Sequence, residues 1–231
     1  MNSYHRVSAE IDTSALLHNI SEIRKKVGKN VKIMPVIKAN AYGHGAAEVA
    51  HVLENDADFF AVAVVEEAAE LRNIGIKKPI IILSYVSPKL YQEVIQNDVT
   101  LTIFGTETAR ILSEEAKRAG KISKIHIAVD TGMNRIGFYC SDEAAENIKE
   151  ISKMPNLIIE GIFSHFATAD EVNKEFSIKQ KNKFMDFCNK LENEGIKIPI
   201  KHMCNSAAVM DFDDCYFDMV RSGIITYGLY P

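Results

Sequence analysis

The decapeptide VIKANAYGHG, residues 36–45, reads as a strand that ends in a lysine and turns sharply into a helix. Met34, Val36 and Lys38 recur at period two, so one side of the strand carries an amine to its C-terminal end. Gly43 and Gly45 permit the turn, and Ala46, Ala47 and Val49 open the helix. On this pattern alone a strand-end lysine is most often a solvated tip. Its worth as a chemical group depends on what else the chain brings to the same end of the sheet.

Outward from that unit the chain alternates. Strand-like apolar runs fall at 31–37, 59–64, 79–85, 99–104, 124–129, 157–163, 199–204 and 220–225. Between them lie amphipathic helices at 66–74, 89–96, 106–119, 142–153 and 176–194, ending near Gly75, Asn97, Gly120, Pro155 and Gly195. Residues 9–12 read as a short strand-like entry. Asp12 or Thr13 then caps a helix that carries Leu16, Ile20, Ile23 and Val27 and stops at Gly28. Strands alternating with helices predict parallel pairing, and eight of them predict an α/β fold of the TIM type, a (β/α)8 barrel filling residues 1–231 as one domain.

Hydrophobic residues make up 47% of the 231 and charged residues 25%, which excludes a disordered chain. A net charge of −4 without a Lys/Arg cluster argues against nucleic acid or an anionic membrane as partner. No apolar run approaches the roughly 18 residues of a membrane span. The start, MNSYHRVSAEID, lacks the apolar core of a signal peptide, so the expected compartment is the cytoplasm. Cys140, Cys188, Cys204 and Cys215 show no C-x-x-C spacing and are expected as free thiols. His202 and Cys204 amount to two ligands, too few for a zinc site, and no metal is expected.

A barrel places catalytic groups at the C-terminal strand ends and a phosphate site after strands seven and eight. Asn205 and Ser206 follow the seventh strand, where a hydroxyl and backbone amides could meet an anion. After the eighth, Gly223 removes the side chain that would block close approach and leaves N–H donors at Gly223 and Ile224. Each alone would pass for an ordinary cap or turn. His202, Cys204 and Ser206 alternate toward the barrel side.

Together these segments resemble the alanine racemase family. Besides VIKANAYGHG, the stretches AEIDTSALLHNI, VDTGMNRIGF, GIFSHFATAD, HMCNSAA and MVRSGIITYGLYP are similar to that family's blocks, in its order and over nearly the whole chain. The resemblance implies an isomerase that uses pyridoxal 5'-phosphate (PLP) to interconvert L-alanine and D-alanine, the latter for cell-wall peptidoglycan. It implies that Lys38 carries PLP as a Schiff base and moves the substrate proton, while Tyr42, Ser206 and the amides of Gly223 and Ile224 hold the phosphate beside Asn205. His165 would pack against the pyridine ring, Arg221 would donate to the ring nitrogen, and His202 would support Arg221. Arg135 would reach toward the phenolic oxygen, with Met133 beside it on the substrate side. A guanidinium does not surrender protons near neutral pH, so Arg221 should leave the ring nitrogen unprotonated and favour reprotonation over transamination.

Two departures stand against this pattern. Ala128 occupies the place where many members carry a lysine that becomes carbamylated and faces the arginine, so a buried Arg135 would need an anion, a carboxylate or water instead. The family also continues past the YGLYP block into a mainly β C-terminal domain that supplies a tyrosine across a dimer interface as the second acid/base. This sequence stops at Pro231. The expectation is therefore a barrel domain with impaired turnover, belonging to a homodimeric enzyme. A racemase of serine or another small amino acid is one alternative, and a non-catalytic single-barrel PLP carrier is another.

Overall fold

The computed structural model describes residues 8–231, so most of the segment read for a signal peptide lies outside the described residues. Helix α1 (Thr13–Val27) begins where Asp12 Oδ1 accepts the amides of Ser14 at 2.9 Å and Ala15 at 3.3 Å. It buries Leu16, Ile20, Ile23 and Val27 along one face and ends at Gly28. Residues 9–12 do not form the expected strand. They are exposed, and Asp12 is used as the helix cap.

Nine strands follow: β1 (Lys32–Pro35), β2 (Phe60–Val62), β3 (Ile80–Ile82), β4 (Thr100–Ile103), β5 (Ser123–Asp130), β6 (Phe138–Tyr139), β7 (Leu157–Phe163), β8 (Ile200–His202) and β9 (Met219–Ser222). The helices between them are α2 (Lys38–Tyr42), α3 (Ala46–Leu53), α4 (Val65–Asn73), α5 (Tyr91–Gln96), α6 (Thr106–Arg118), α7 (Asp142–Ile151), α8 (Glu175–Asn193) and α9 (Ser206–Asp211). Strand pairing is parallel in the order β1-β9-β8-β7-β5-β4-β3-β2. A single bridge between Val36 and Ala61, with the Ile37 amide donating to the Ala61 carbonyl at 2.9 Å, closes β1 onto β2. The result is the expected (β/α)8 barrel. The added strand, β6, pairs only with β5 and was not anticipated.

Differences from the expected boundaries have local causes. The last strand stops at Ser222 because the chain tightens into a 3-10 turn over Ile224–Tyr227. The helix expected at 89–96 enters through a 3-10 turn at Pro88–Leu90, where proline supplies a first turn that needs no amide donor. Among the described residues no helix is long and apolar enough to cross a membrane.

Apolar side chains fill two volumes. One lies between strands and helices and includes Ile33, Phe60, Leu71, Leu112, Ile148 and Phe184. The smaller one lies inside the barrel and is made by Met34, Val36, Phe59, Ala61, Ile81, Ile200 and Met219. Each large apolar side chain so buried contributes roughly 1.5–3 kcal/mol. Polar groups are buried as well: Thr100, Thr102, His126, His202 and Arg221 are at most 4% exposed. A polar interior of this kind must satisfy its own hydrogen bonds.

Candidate active site

Lys38 leaves the end of β1 half-buried and faces the barrel mouth. The chain beyond it turns by more than its glycines. Ala39, Asn40, Ala41 and Tyr42 adopt φ of 51°, 53°, 53° and 54°, so α2 is one left-handed turn built from residues with side chains. That conformation costs an L-residue roughly 1–2 kcal/mol. Three side chains offset the cost. Glu67, in the first turn of α4, accepts the Ala39 amide at 2.6 Å and the Ala63 amide at 2.7 Å. Asn40 Oδ1 accepts the Ala46 amide at 2.8 Å and so caps α3. Tyr227 Oη donates to the Val36 carbonyl at 2.9 Å. None of the three was picked out by sequence reasoning, and only Glu67 left a trace, an acidic residue in a helix's first turn.

An anion cradle lies beside this turn. A Cβ built on Gly223 would stand 3.3 Å from Ser206 Oγ and 3.4 Å from Tyr42 Oη, so the three groups converge around a space that a side chain at 223 would crowd. The Gly223 amide donates to Ser206 Oγ at 3.0 Å, rather than standing free as its sequence suggested. An arriving anion would compete for that amide. Asn205 takes the ordinary role of helix cap, its Oδ1 accepting the Ala208 amide at 3.0 Å, and it also lines the mouth. Burial raises the Tyr42 phenol above its usual range, which keeps it a donor at neutral pH.

Arg221, on β9, is the most elaborately held side chain of the site. Its Nη1 meets His202 Nδ1 at 2.7 Å, and its Nη2 donates to the carbonyls of Ser164 at 2.8 Å and Met203 at 3.0 Å and meets His165 Nδ1 at 3.0 Å. The Nε is left without a protein acceptor among the described residues, and Arg221 lines the mouth. Burial brings its pKa down to about 10, so it remains a cation at neutral pH. Burial, with Arg221, Arg135 and Lys38 nearby, drives His165 down to about 3. His165 is therefore neutral, with Nδ1 the acceptor and Nε2 the donor. Fully buried His202 stacks on Phe163 with ring centroids 4.9 Å apart, behind Arg221 rather than in the mouth.

One premise of the sequence reading fails here: Arg135 is exposed rather than buried, so of the anion, carboxylate or water expected to face it, water suffices and no internal anion is demanded. Among the described residues it pairs with no carboxylate. Ala128 is buried at the mouth, as is Asp130, whose Oδ1 accepts the amides of Gly132 at 2.7 Å and Asn134 at 3.1 Å and shapes the loop carrying Met133 and Arg135. Cys204 also departs from the expected alternation, because β8 ends at His202. Its thiol turns away from the mouth to lie 2.7 Å from the thiol of Cys215.

Lys38, Tyr42, Met133, Arg135, His165, Asn205, Ser206, Arg221, Gly223 and Ile224 all line one cavity of about 620 Å³, with His202 beneath it. Parallel strand ends that gather a lysine, a buried arginine and an anion cradle define a class, the (β/α)8 barrels with an anion-anchored site at the C-terminal mouth. The chain belongs to the family described as alanine racemase, N-terminal domain, whose profile matches residues 11–231. It is 48% identical over 228 residues to the alanine racemase of Methanococcus maripaludis, covering 98% of this chain and 61% of that one. Against alanine racemase 2 of Caldanaerobacter subterraneus subsp. tengcongensis it is 48% identical over 223 residues, covering 96% and 58%. The solved alanine racemase of Clostridium difficile 630 in complex with cycloserine superposes with a TM-score of 0.93 at 45% identity, over 94% of this chain and 60% of that one. The Bacillus anthracis alanine racemase with bound L-Ala-P gives 0.90 at 35% identity, over 96% and 57%. The chain thus spans about three-fifths of the length of these relatives.

Proposed function

We propose that this chain is the PLP-binding barrel of an alanine racemase, with L- and D-alanine as substrate and product. The observation that carries the reading is the convergence of Lys38, the Tyr42, Ser206 and Gly223 cradle, and Arg221 in one cavity. The residues fit the cofactor: a phosphate needs the room that a Cβ on Gly223 would take away, and the ring needs a fixed cationic donor such as Arg221. Tyr42, Ser206, Gly223 and Ile224 would hold the phosphate, with Asn205 alongside. His165 and Arg221 would face the ring, and Met133 and Arg135 the substrate side. When bound, PLP supplies an electron sink that acidifies the Cα–H of an attached amino acid.

The chain's own residues supply the rest. Lys38 Nζ would hold the cofactor covalently and, when free, would take the substrate's Cα proton and return it on its own face. Arg221 would keep its proton and offer only a hydrogen bond to the ring nitrogen, which would weaken the electron sink and favour simple proton return. Neutral His165 contributes ring packing without adding charge. The reading carries with it the homodimer, the cytoplasmic setting and the peptidoglycan use of D-alanine implied by the resemblance.

Borohydride reduction of the PLP-treated chain, followed by peptide mapping, should place the pyridoxyl group on the peptide containing Lys38. In D₂O with PLP and alanine, the chain should exchange the Cα–H faster than PLP alone, and Lys38→Ala should not. Label on another lysine, or exchange that survives Lys38→Ala, would overturn the proposal.

A further inference from the structure

Behind Arg221 a row of polar side chains crosses the barrel interior to its far end. His202 Nε2 lies 2.8 Å from His126 Nδ1, and His126 Nε2 lies 3.4 Å from Glu160 Oε2. Glu160 Oε1 in turn meets Lys124 Nζ at 2.9 Å. Both histidines are wholly buried. Donor and acceptor counting leaves this row one arrangement. A guanidinium can only donate, so His202 Nδ1 must be bare and its Nε2 must carry the proton. That proton points at His126 Nδ1, which must also be bare, leaving the second proton on His126 Nε2, on the side of the Glu160 carboxylate. The order is Arg221 to His202 to His126, each donating to the next, with Glu160 beside the last N–H but not hydrogen-bonded to it.

The fold is modified in two places to admit this row. Strand β7 carries a bulge: Ile125 pairs with Ile159 while His126 pairs with Gly161, so Glu160 is the unpaired extra residue. Bulges re-aim side chains, and this one sets Glu160 against His126 and Lys124. The next residue, Gly161, lies against the imidazole itself. A Cβ there would stand 2.5 Å from His126 Cε1 and 2.6 Å from Nδ1, so any side chain at 161 would displace the ring. Apolar residues would fill this volume without either device.

We infer that His126 and Glu160 are positioning residues that hold His202 in a single tautomer and thereby fix Arg221 toward the cavity. The inference rests on the reading of Arg221 as the group that faces the cofactor ring. Burial holds both histidines below their ordinary pKa, in keeping with two neutral rings. Burial would raise Glu160, but its contacts to His126 and Lys124 outweigh that and hold it ionised.

Histidine ¹⁵N NMR on the 231-residue chain without PLP tests the arrangement directly. His126 and His202 should each show a protonated Nε2 and a bare Nδ1. In His126→Leu the His202 signals should move toward a mixture of tautomers, and PLP should bind about tenfold more weakly, the lower end of what losing an outer-shell partner costs at metal-bound histidines. His126→Asn, whose side-chain oxygen can stand where Nδ1 stood, should restore the His202 pattern and most of the affinity. A protonated Nδ1 on His126, or His202 signals unmoved by the leucine variant, would overturn the inference. Should His126→Leu fail to fold, the tautomers of the unmodified chain decide alone. Should the tautomers hold while PLP never labels Lys38, the relay stands and the cofactor reading falls.

Discussion

Gly223 and Gly161 are site residues through the space they leave. A methyl at 223 would press on Ser206 Oγ and Tyr42 Oη, both ends of the anion cradle. Gly223→Ala should keep the fold yet weaken PLP binding roughly tenfold or more, from about 1–3 kcal/mol of overpacking, measured by titration. Unchanged affinity would show that the cradle lies elsewhere. At 161 the methyl would meet the His126 ring within the barrel, so Gly161→Ala should cost about 1–3 kcal/mol in urea unfolding. These roles differ in how far the sequence disclosed them. Gly223 sits in a turn after a strand, where close backbone approach is a natural reading. Gly161 sits inside a strand opposite a histidine 35 positions earlier, and only the strand register brings the two together.

At the scale of elements, the strongest departure from sequence reasoning is α2. The two glycines of VIKANAYGHG suggested where the chain bends, but the bend is made by the four residues before them. Ala39→Gly at an exposed left-handed position should stabilise the chain by up to about 1 kcal/mol, since glycine adopts this backbone without the Cβ penalty. Asn40→Ala should do the reverse by about 1 kcal/mol, losing the cap on α3. Equal midpoints in denaturant for both variants would refute this account of the turn. Elements governed by periodicity were legible: α1 is bounded by Asp12 and Gly28, and all eight barrel strands are apolar runs. Elements governed by long-range contacts were not. The β6 strand exists because Val129 and Phe138 pair across a loop, and the left-handed turn because Glu67 reaches across from α4. In the site, residue types with chemistry were visible, whereas Glu67 and Tyr227 act on backbone groups that carry no sequence label.

For the whole molecule, a barrel that buries neutral histidines should be acid-sensitive. His126 and His202 are held below their ordinary pKa by burial, while in the unfolded chain they titrate near the usual value of about 6.5. Below that pH the unfolded state binds more protons than the folded one, so stability falls as pH drops, by up to about 1.4 kcal/mol per pH unit for each histidine. His165, with a folded value of about 3, acts in the same direction down to that pH. The melting temperature should therefore decline between about pH 6.5 and 5, before most carboxylates titrate. A flat profile across that range would mean that the histidines take up protons in place.

The closure of the barrel is uneven. Strands β5 and β7 share a ladder of six register pairs, whereas β8 meets β9 through one pair, and β1 meets β2 through the Val36–Ala61 bridge, the Ile37 amide and the Ile33 carbonyl, which accepts the Asp58 and Phe59 amides. A cylinder breathes where its ladders are short, and the β1–β2 seam ends at Ile37, one residue before Lys38. Hydrogen–deuterium exchange should find the Ile37 amide opening sub-globally, well ahead of Ile125 and Ile127. PLP joined to Lys38 at one end and seated on Gly223 at the other would lock β1 to its paired neighbour β9 and so stiffen one lip of that seam. Its arrival should slow exchange at Ile37, the residue next to Lys38, more than at any amide of β5, making the cofactor a brace for the barrel wall as well as a reagent within it.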